Sequence, residues 1–314
     1  MRANPQSPIP NPLLSLMYEN ILGRVYNTPH PIHPDKLEAI RRFVTAKALG
    51  VQIDAATIAA ARAERRAAED VQVNRSVAVL NLFGTLSMRV DMLEDASGGA
   101  SCEAIGRKFD QLMADDSVGA VLLNVHSPGG DGFGVTELAH KIFDARGKKP
   151  TCSICNAEMA SAALWIGLAA QEVSMTPSGW IGSHGVYMVH TDLSAQNEEL
   201  GQKVSYISAG PHKTEWNPDQ PLTDETKAYY QGLVDEIYEQ FTADLAQFRG
   251  TTAEKVKATY GGGRMMRAEA AKKCRMIDRI ETFDDCVARL AGVPRKRASR
   301  TKAQLARLEL EKFR

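Results

Sequence analysis

The sequence predicts an α/β domain whose central sheet is largely parallel, and the pattern of apolar residues carries this prediction. Short β-branched runs such as "VAVLNLF", "GAVLLNVH" and "TCSIC" alternate with amphipathic helical segments such as "CEAIGRKFDQLMADD". Apolar strands separated by helices are typical of parallel sheets that are covered on both faces. A chain of 314 residues is long enough to bury a full core in such a domain.

Four segments differ in composition along the chain. Residues 1–30 are rich in proline and are predicted to be a flexible arm, and residues 31–75 contain two runs of strong helix formers that predict a helical accessory region. Residues 76–292 hold the predicted α/β domain. Residues 293–314 carry eight Lys or Arg against two Glu, which predicts a basic flexible tail.

Within the predicted domain, strands and helices follow one another closely. We expect strands over 77–86, 119–126, 151–155, 172–176, 185–190 and 203–208, and helices over 102–116, 135–147, 223–248 and 251–260, with another helix beginning near Ser161. Ser101 is the predicted cap of the first of these helices. In such a sheet, ligand-binding and catalytic groups lie in loops beyond the carboxyl ends of the strands.

Charge and cysteine content exclude several functional classes. The chain has 38 Lys and Arg and 38 Asp and Glu, so no net field favours nucleic acid or a membrane surface. No apolar run approaches a transmembrane length or a signal peptide, and we expect a cytoplasmic protein without nucleic-acid or membrane partners. The C-x-x-C of Cys152 and Cys155 lacks the further ligands that a zinc site needs, and strand spacing places the two thiols on opposite faces.

Two motifs could carry chemistry together. "SPGG", Ser127–Gly130, follows a predicted strand, and its free N–H groups could stabilise an oxyanion, although a plain turn would use the same residues. Ser161 lies where "NAEMAS" enters the apolar run "AALWIGLAA". That position is typical of a helix cap, but it also gives a nucleophile the neighbouring N–H of Ala162.

A serine nucleophile needs a base, and the sequence offers two. Lys213 lies in "SAGPHKTEWNPDQPLT", where Pro211, Trp216 and Pro218 could exclude water and lower the lysine pKa towards about 7–8. His184 in "GSHGV" offers a serine–histidine pair instead. Both bases remain open from the residues alone.

The ordered set of motifs resembles a known family. "LNVHSPGG", "EMASAALWIGLAA", "TPSGWIGSHGV" and "SAGPHKTEWNPDQPLT" are similar, in order and spacing, to the signal peptide peptidase A (protease IV) serine peptidases, above all to their bacteriophage branch of lambda-like head maturation proteases. The resemblance covers residues 76 to about 290. It implies a ClpP/crotonase-like fold of repeated β-β-α units, here with an N-terminal helical extension and long C-terminal helices.

The resemblance also implies roles for individual residues. The family's Ser/Lys dyad falls on Ser161 and Lys213, and its oxyanion donors fall on Gly130, Gly129 and Ala162. A serine that helps to hold the lysine falls on Ser183. His184 occupies a position that is usually aliphatic in the family, so the Ser161/His184 pair stays open as an alternative.

The function implied is that of an endopeptidase without metal or cofactor. Its substrates would be scaffold or capsid proteins inside an assembling procapsid in the host cytoplasm, and homo-oligomerisation is expected. The absence of a predicted N-terminal membrane anchor favours the phage branch over cellular signal peptide peptidases. Two alternatives remain at this stage: an acyl-CoA hydratase or isomerase of the same fold, and a catalytically inactive head-assembly protein.

Overall fold

The computed structural model of the chain describes residues 72–74, 76–89 and 99–292. The predicted arm 1–30, nearly all of the accessory region 31–75 and the tail 293–314 therefore lie outside the described residues. The strands are β1 Gln72–Asn74, β2 Val77–Phe83, β3 Thr85–Ser87, β4 Gly99–Ser101, β5 Ala120–Ser127, β6 Thr151–Ala160, β7 Glu172–Met175, β8 Trp180–Gly182, β9 Met265–Arg267 and β10 Arg279–Ile280.

The main sheet confirms the predicted mixed α/β architecture with a largely parallel sheet. Its strands run in the order β1-β2-β5-β6-β7-β10. Within this path only the β1–β2 pair is antiparallel. Strand β8 extends the sheet by pairing in parallel with the end of β6, and β9 adds to β8 antiparallel. Strands β3 and β4 form a separate parallel pair.

Eight helices lie within residues 99–292, and four of them have a side-chain cap at the N-terminus. They are α1 Cys102–Ala114, α2 Val135–Asp144, α3 Ala162–Leu168, α4 Ser194–Glu199, α5 Asp224–Phe248, α6 Ala253–Thr259, α7 Ala268–Lys273 and α8 Phe283–Leu290. The hydroxyl of Ser101 accepts a hydrogen bond from the N–H of Ala104 at 3.1 Å, which confirms the predicted cap of α1. Among these helices, none has the length and apolarity needed to cross a membrane.

Two predicted strands are absent, and the reason is the same for both. Residues 185–190 and 203–208 belong to no strand, and the strand in this region is β8 at Trp180–Gly182. An alternation of apolar and polar residues predicts which way side chains would point in a strand, but it carries no information about whether a neighbouring strand is present. After Gly182 the chain leaves the sheet, and neither run forms a strand.

The two thiols of the C-x-x-C lie on opposite faces of the sheet, as strand spacing predicts. Cys155 is part of the large core beneath helices α1 to α3. Cys152 belongs to a smaller core formed with helix α8, where its Sγ lies 3.8 Å from the Sγ of Cys286. The spacing is therefore a consequence of packing on two faces.

Helix α3 is buried along its whole length, from Ala162 to Leu168. Trp165 on this helix stacks on Phe241 of α5 with ring centroids 4.3 Å apart, and its indole N–H donates to the buried carboxylate of Asp244 at 2.9 Å. His140 of α2 contacts the other carboxylate oxygen of Asp244 at 3.1 Å. These contacts fix helix α5 against α2 and α3.

The carboxyl ends of α3 and α5 are held by one arginine. The guanidinium of Arg146 donates to the carbonyl oxygens of Leu168, Ala169 and Ala170 and to that of Phe248, at 2.8–3.0 Å. A buried helix end has no water for its last carbonyls, so a side-chain donor has to satisfy them. Arg146 does so for two helices at once.

The backbone of the "SPGG" turn packs directly against the backbone of strand β3. The N–H of Leu86 donates to Gly129 O at 2.8 Å, and the N–H of Asp131 donates to Leu86 O at 2.9 Å. A Cβ atom at Gly130 would lie 1.8 Å from Leu86 O. Residue 130 therefore has to be glycine because a side chain would overlap the backbone of Leu86. Its backbone conformation does not require glycine.

We predict that Arg146→Met lowers the free energy of unfolding by about 2–4 kcal/mol, because four carbonyls lose a charged donor and stay buried. Urea unfolding followed by circular dichroism measures the change. Arg107→Met is the matched control, since Arg107 makes an exposed pair with Glu103 at 2.7 Å and its loss should cost about 0.5 kcal/mol or less. Equal effects of the two substitutions would contradict the role of Arg146.

We predict that Gly130→Ala lowers the free energy of unfolding by about 2–4 kcal/mol, because the added methyl group overlaps the backbone of Leu86. Gly232→Ala on helix α5 is the control, since a Cβ there meets no atom within 4 Å. This control should raise stability by up to about 1 kcal/mol through helix propensity. A Gly130→Ala protein as stable as the unsubstituted chain would show that the β3 contact is not required.

Candidate active site

Ser161 lies at the junction between strand β6 and helix α3, in a strained backbone conformation. Its φ is 56° and its ψ is −116°, outside the regions that non-glycine residues favour. Its N–H donates to Gly182 O at 2.9 Å, and its carbonyl accepts from the N–H of Trp165 at 3.0 Å. Backbone bonds on both sides thus hold the residue in this conformation.

The hydroxyl of Ser161 is buried and makes no hydrogen bond with the described residues. The side chain is fully buried, and its Oγ has no hydrogen-bond partner among the described residues. A helix-capping serine would accept a hydrogen bond from an N–H of the first turn, and Ser161 makes no such bond. An unsatisfied buried hydroxyl costs stability, so its position is not explained by packing or capping.

The "SPGG" turn lies beside Ser161 because strands β5 and β6 are in register at Ser127 and Met159. The hydroxyl of Ser127 donates to Gly84 O at 2.6 Å and accepts from the N–H of Gly129 at 3.2 Å. The N–H of Gly129 is therefore already used inside the turn. The amides of Gly130 and Ala162 donate to no group in the part of the chain that the structure describes.

Ser183 lies one residue after the Gly182 carbonyl that holds Ser161. It is buried, its φ is 57°, and its N–H donates to Arg264 O at 3.0 Å. A Cβ at Gly182 would lie 2.4 Å from the same carbonyl, so this turn also needs glycine. Sequence analysis did not identify the carbonyl of Arg264 as a support of the site, because the partner lies 81 residues away in the chain.

Lys213 occupies a different environment from the one expected. It is exposed, in a turn where its N–H donates to Gly210 O at 3.3 Å. The ring of Trp216, which was expected to shield it, packs on Tyr230 with centroids 4.2 Å apart and on His190 at 5.4 Å. Lys213 makes no hydrogen bond with Ser161, so the described conformation does not bring the predicted dyad together.

His184 is buried beneath helix α5. Its Nε2 lies 3.0 Å from the hydroxyl of Thr242, which itself donates to Tyr238 O at 2.8 Å. Because the single proton of this hydroxyl is used for the carbonyl, Nε2 has to donate, and Nδ1 carries a lone pair that has no partner among the described residues. Neither ring nitrogen bonds to Ser161.

The protonation of His184 is controlled by its surroundings. Its pKa is lowered to about 4, chiefly by burial and in smaller part by the charge of Lys257, while Glu239 opposes the shift. The ring also packs against Tyr238 and Phe241, with centroids 4.9 and 4.8 Å away. His184 is therefore neutral near pH 7 and contributes to the packing between the β8 turn and helix α5.

The chain is similar to known peptidases and to phage assembly proteins. Residues 144–294 match the model of Peptidase family S49. The head-tail preconnector protein GP5 of Enterobacteria phage P21 is 27% identical over 286 residues, which cover 87% of this chain and 57% of that protein. Capsid assembly protease C of Escherichia phage lambda is 30% identical over 194 residues, which cover 62% of this chain and 44% of that protein.

A cellular relative matches over a similar region. Protease 4 of Salmonella typhi is 25% identical over 199 residues, which cover 63% of this chain and 32% of that protein. The chain spans about half the length of the phage relatives that it matches. These matches confirm the predicted resemblance to the signal peptide peptidase A peptidases and to their bacteriophage relatives.

Proposed function

We propose that this chain is a serine endopeptidase in which Ser161 is the nucleophile and Lys213 is the general base. The observation that carries the proposal is the buried Oγ of Ser161 on a strained backbone, with no hydrogen-bond partner among the described residues. The amides of Gly130 and Ala162 likewise donate to no described group. Strain and unsatisfied polar atoms are retained where a reaction requires them. The match of residues 144–294 to a peptidase family supports the same reading.

The proposed chemistry follows the general pattern of acyl transfer. Lys213 in its neutral form takes the proton of Ser161, and Oγ attacks the carbonyl carbon of a peptide bond. The amides of Gly130 and Ala162 stabilise the oxyanion that forms, and Lys213 then protonates the leaving amine. Water hydrolyses the acyl-enzyme in the second half of the reaction. Gly129 has no donor role in this scheme, because its N–H is bonded to Ser127.

Lys213 has to move or be covered before it acts. Lys213 is exposed in the described conformation, whereas a lysine that acts as a general base has to be desolvated. We place this step in the substrate-bound or assembled state, when the segment that carries Lys213 approaches Ser161 and Ser183. Homo-oligomerisation, which the resemblance implies, is one way to bury that segment.

The proposed substrates are scaffold or capsid proteins, cut inside an assembling procapsid in the host cytoplasm. Similarity to the capsid assembly protease of phage lambda and to the head-tail preconnector of phage P21 supports this choice. A peptidase of this kind needs neither metal nor cofactor, because a serine hydroxyl is the nucleophile and a lysine amine is the base.

We predict that Ser161→Ala and Lys213→Ala each reduce cleavage at least about 1,000-fold, because members of a catalytic unit cannot replace one another. Co-expression with candidate scaffold and capsid proteins, followed by mass spectrometry of the products, measures the loss. Ser178→Ala and Lys227→Ala are matched controls at exposed positions and should cleave normally. A folded Ser161→Ala protein that cleaves at the rate of the unsubstituted protein would contradict the proposal.

His184 has a role in stability rather than as a base, and its pKa gives a test. The folded pKa of about 4 is below the ordinary value near 6.5, so the unfolded chain binds more protons between these values. The stability contributed by neutral His184 is complete above about pH 6.5 and is lost as the pH falls towards 4. Going from pH 7.5 to pH 5 should cost on the order of 1–2 kcal/mol through this residue.

Urea unfolding at both pH values, with His184→Gln compared with the unsubstituted chain, measures this contribution. The variant should lose the part of the pH dependence that His184 causes. His126→Gln is the control, since His126 is exposed. Identical pH dependence in all three proteins would show that His184 is not held neutral by the fold.

A further inference from the structure

Residues 201–210 form a surface segment in which every residue is exposed. Its three large apolar or aromatic side chains are Val204, Tyr206 and Ile207, with 49%, 43% and 101% of their surface accessible. Soluble proteins seldom leave such residues uncovered in one short segment unless the surface has a partner. We therefore expect a partner to cover this segment.

The middle of this segment also lacks backbone partners among the described residues. Residues 202–208 run without helix, turn or bend, and residues 203–207 make no backbone hydrogen bond within the described part of the chain. The bonds at either side, from the N–H of Gln202 to Asn197 O and from the N–H of Lys213 to Gly210 O, mark its limits. An unpaired run of N–H and C=O groups is a template for another strand.

The segment is nevertheless held in place. The carboxylate of Asp219 accepts a hydrogen bond from the amide of Asn197 at 2.8 Å and another from the hydroxyl of Tyr206. This anchor connects the segment to helix α4 and to the loop after Lys213. A surface that is ordered before binding loses less conformational entropy when a partner pairs with it.

We propose that residues 203–207 pair antiparallel with the same residues of a second copy, across a twofold axis at Ser205. In this register Val204 lies opposite Tyr206 of the partner subunit, and the reciprocal pair repeats the contact. Aromatic and β-branched residues directly opposite each other stabilise antiparallel strands. A twofold arrangement needs a self-complementary surface, and these two pairs provide it.

Charge selects this register over the parallel alternative. Lys203 is the charged residue of the segment, and it lies opposite Ile207 of the partner subunit, whose exposed side chain the lysine stem can cover. A parallel, in-register pairing would place Lys203 opposite Lys203, which is unfavourable. The chain has no net charge, so two copies do not repel each other globally. This inference specifies the surface of the proposed homo-oligomer and is independent of the peptidase chemistry.

Disulfide trapping in the full chain tests the register. In a Ser161→Ala, Cys274→Ser background, Ser205→Cys should form a disulfide-linked dimer under mild oxidation, because position 205 meets itself at the axis. Ser178→Cys, exposed outside the segment, is the control, and Ser205→Cys should cross-link at least about tenfold faster. Lys203→Cys and Ile207→Cys should each cross-link slowly alone and rapidly when mixed.

Sedimentation of the same background without added cysteines tests the association itself. The protein should be a dimer or a larger even assembly, and Ser205→Pro, which removes a strand donor, should weaken association at least about tenfold while circular dichroism is unchanged. A monomeric protein, or Ser205→Cys that cross-links no faster than Ser178→Cys, would overturn the inference and leave a strand of another protein as the occupant. Rapid self-cross-linking of Lys203→Cys would overturn the antiparallel register.

These outcomes are separable from the peptidase proposal. All trapping and sedimentation variants carry Ser161→Ala, so they test the surface without any cleavage. Cross-linking at position 205, together with a chain that retains Ser161 and fails to cleave, supports the surface and refutes only the chemistry. A monomeric chain that cleaves substrate gives the opposite result.

Discussion

The enclosure of helix α3 is the constraint on which the rest of the structure depends. Because none of its seven residues reaches the surface, both of its ends have to be satisfied by protein groups. Arg146 satisfies the carboxyl end and joins it to the end of helix α5. The amino end follows Ser161, where the backbone bonds to Gly182 and Trp165 hold the strained turn. A rigid helix thus fixes the position of the Ser161 hydroxyl, which has no hydrogen-bond partner among the described residues.

Close backbone approaches supply the remaining precision. Gly130 is pressed against Leu86, and Gly182 is pressed against Arg264, at distances that admit no side chain. Each approach holds neighbouring amides and carbonyls in fixed hydrogen bonds. At the first approach the Gly130 amide itself donates to no described group. Pre-oriented donors cost no reorganisation during a reaction, which is the physical basis of an oxyanion site. The same contacts explain why Gly129 and Gly130, adjacent in sequence, differ in what they can do.

The part of the chain that carries Lys213 has the opposite character. Residues 201–210 and Lys213 are exposed, and this segment is anchored through Asp219 rather than through the core. On the proposed mechanism, the nucleophile is preorganised while the base depends on a later burial step. Association through residues 203–207 would cover the same segment, so assembly and the burial of Lys213 would be physically coupled.

The sequence by itself determined the α/β class, the parallel strands around β5 and β6, the Ser101 cap of helix α1 and the identity of the motif residues. These features depend on local periodicity, capping chemistry and glycine, which short stretches of sequence contain. Only the tertiary structure decided that residues 185–190 and 203–208 are not strands, because pairing requires a neighbour that periodicity does not reveal. It also decided that Thr242 fixes the tautomer of His184 across 58 residues, and that Lys213 is exposed although prolines and a tryptophan surround it in sequence. Burial and long-range hydrogen bonds depend on how distant elements pack, and no local pattern records them.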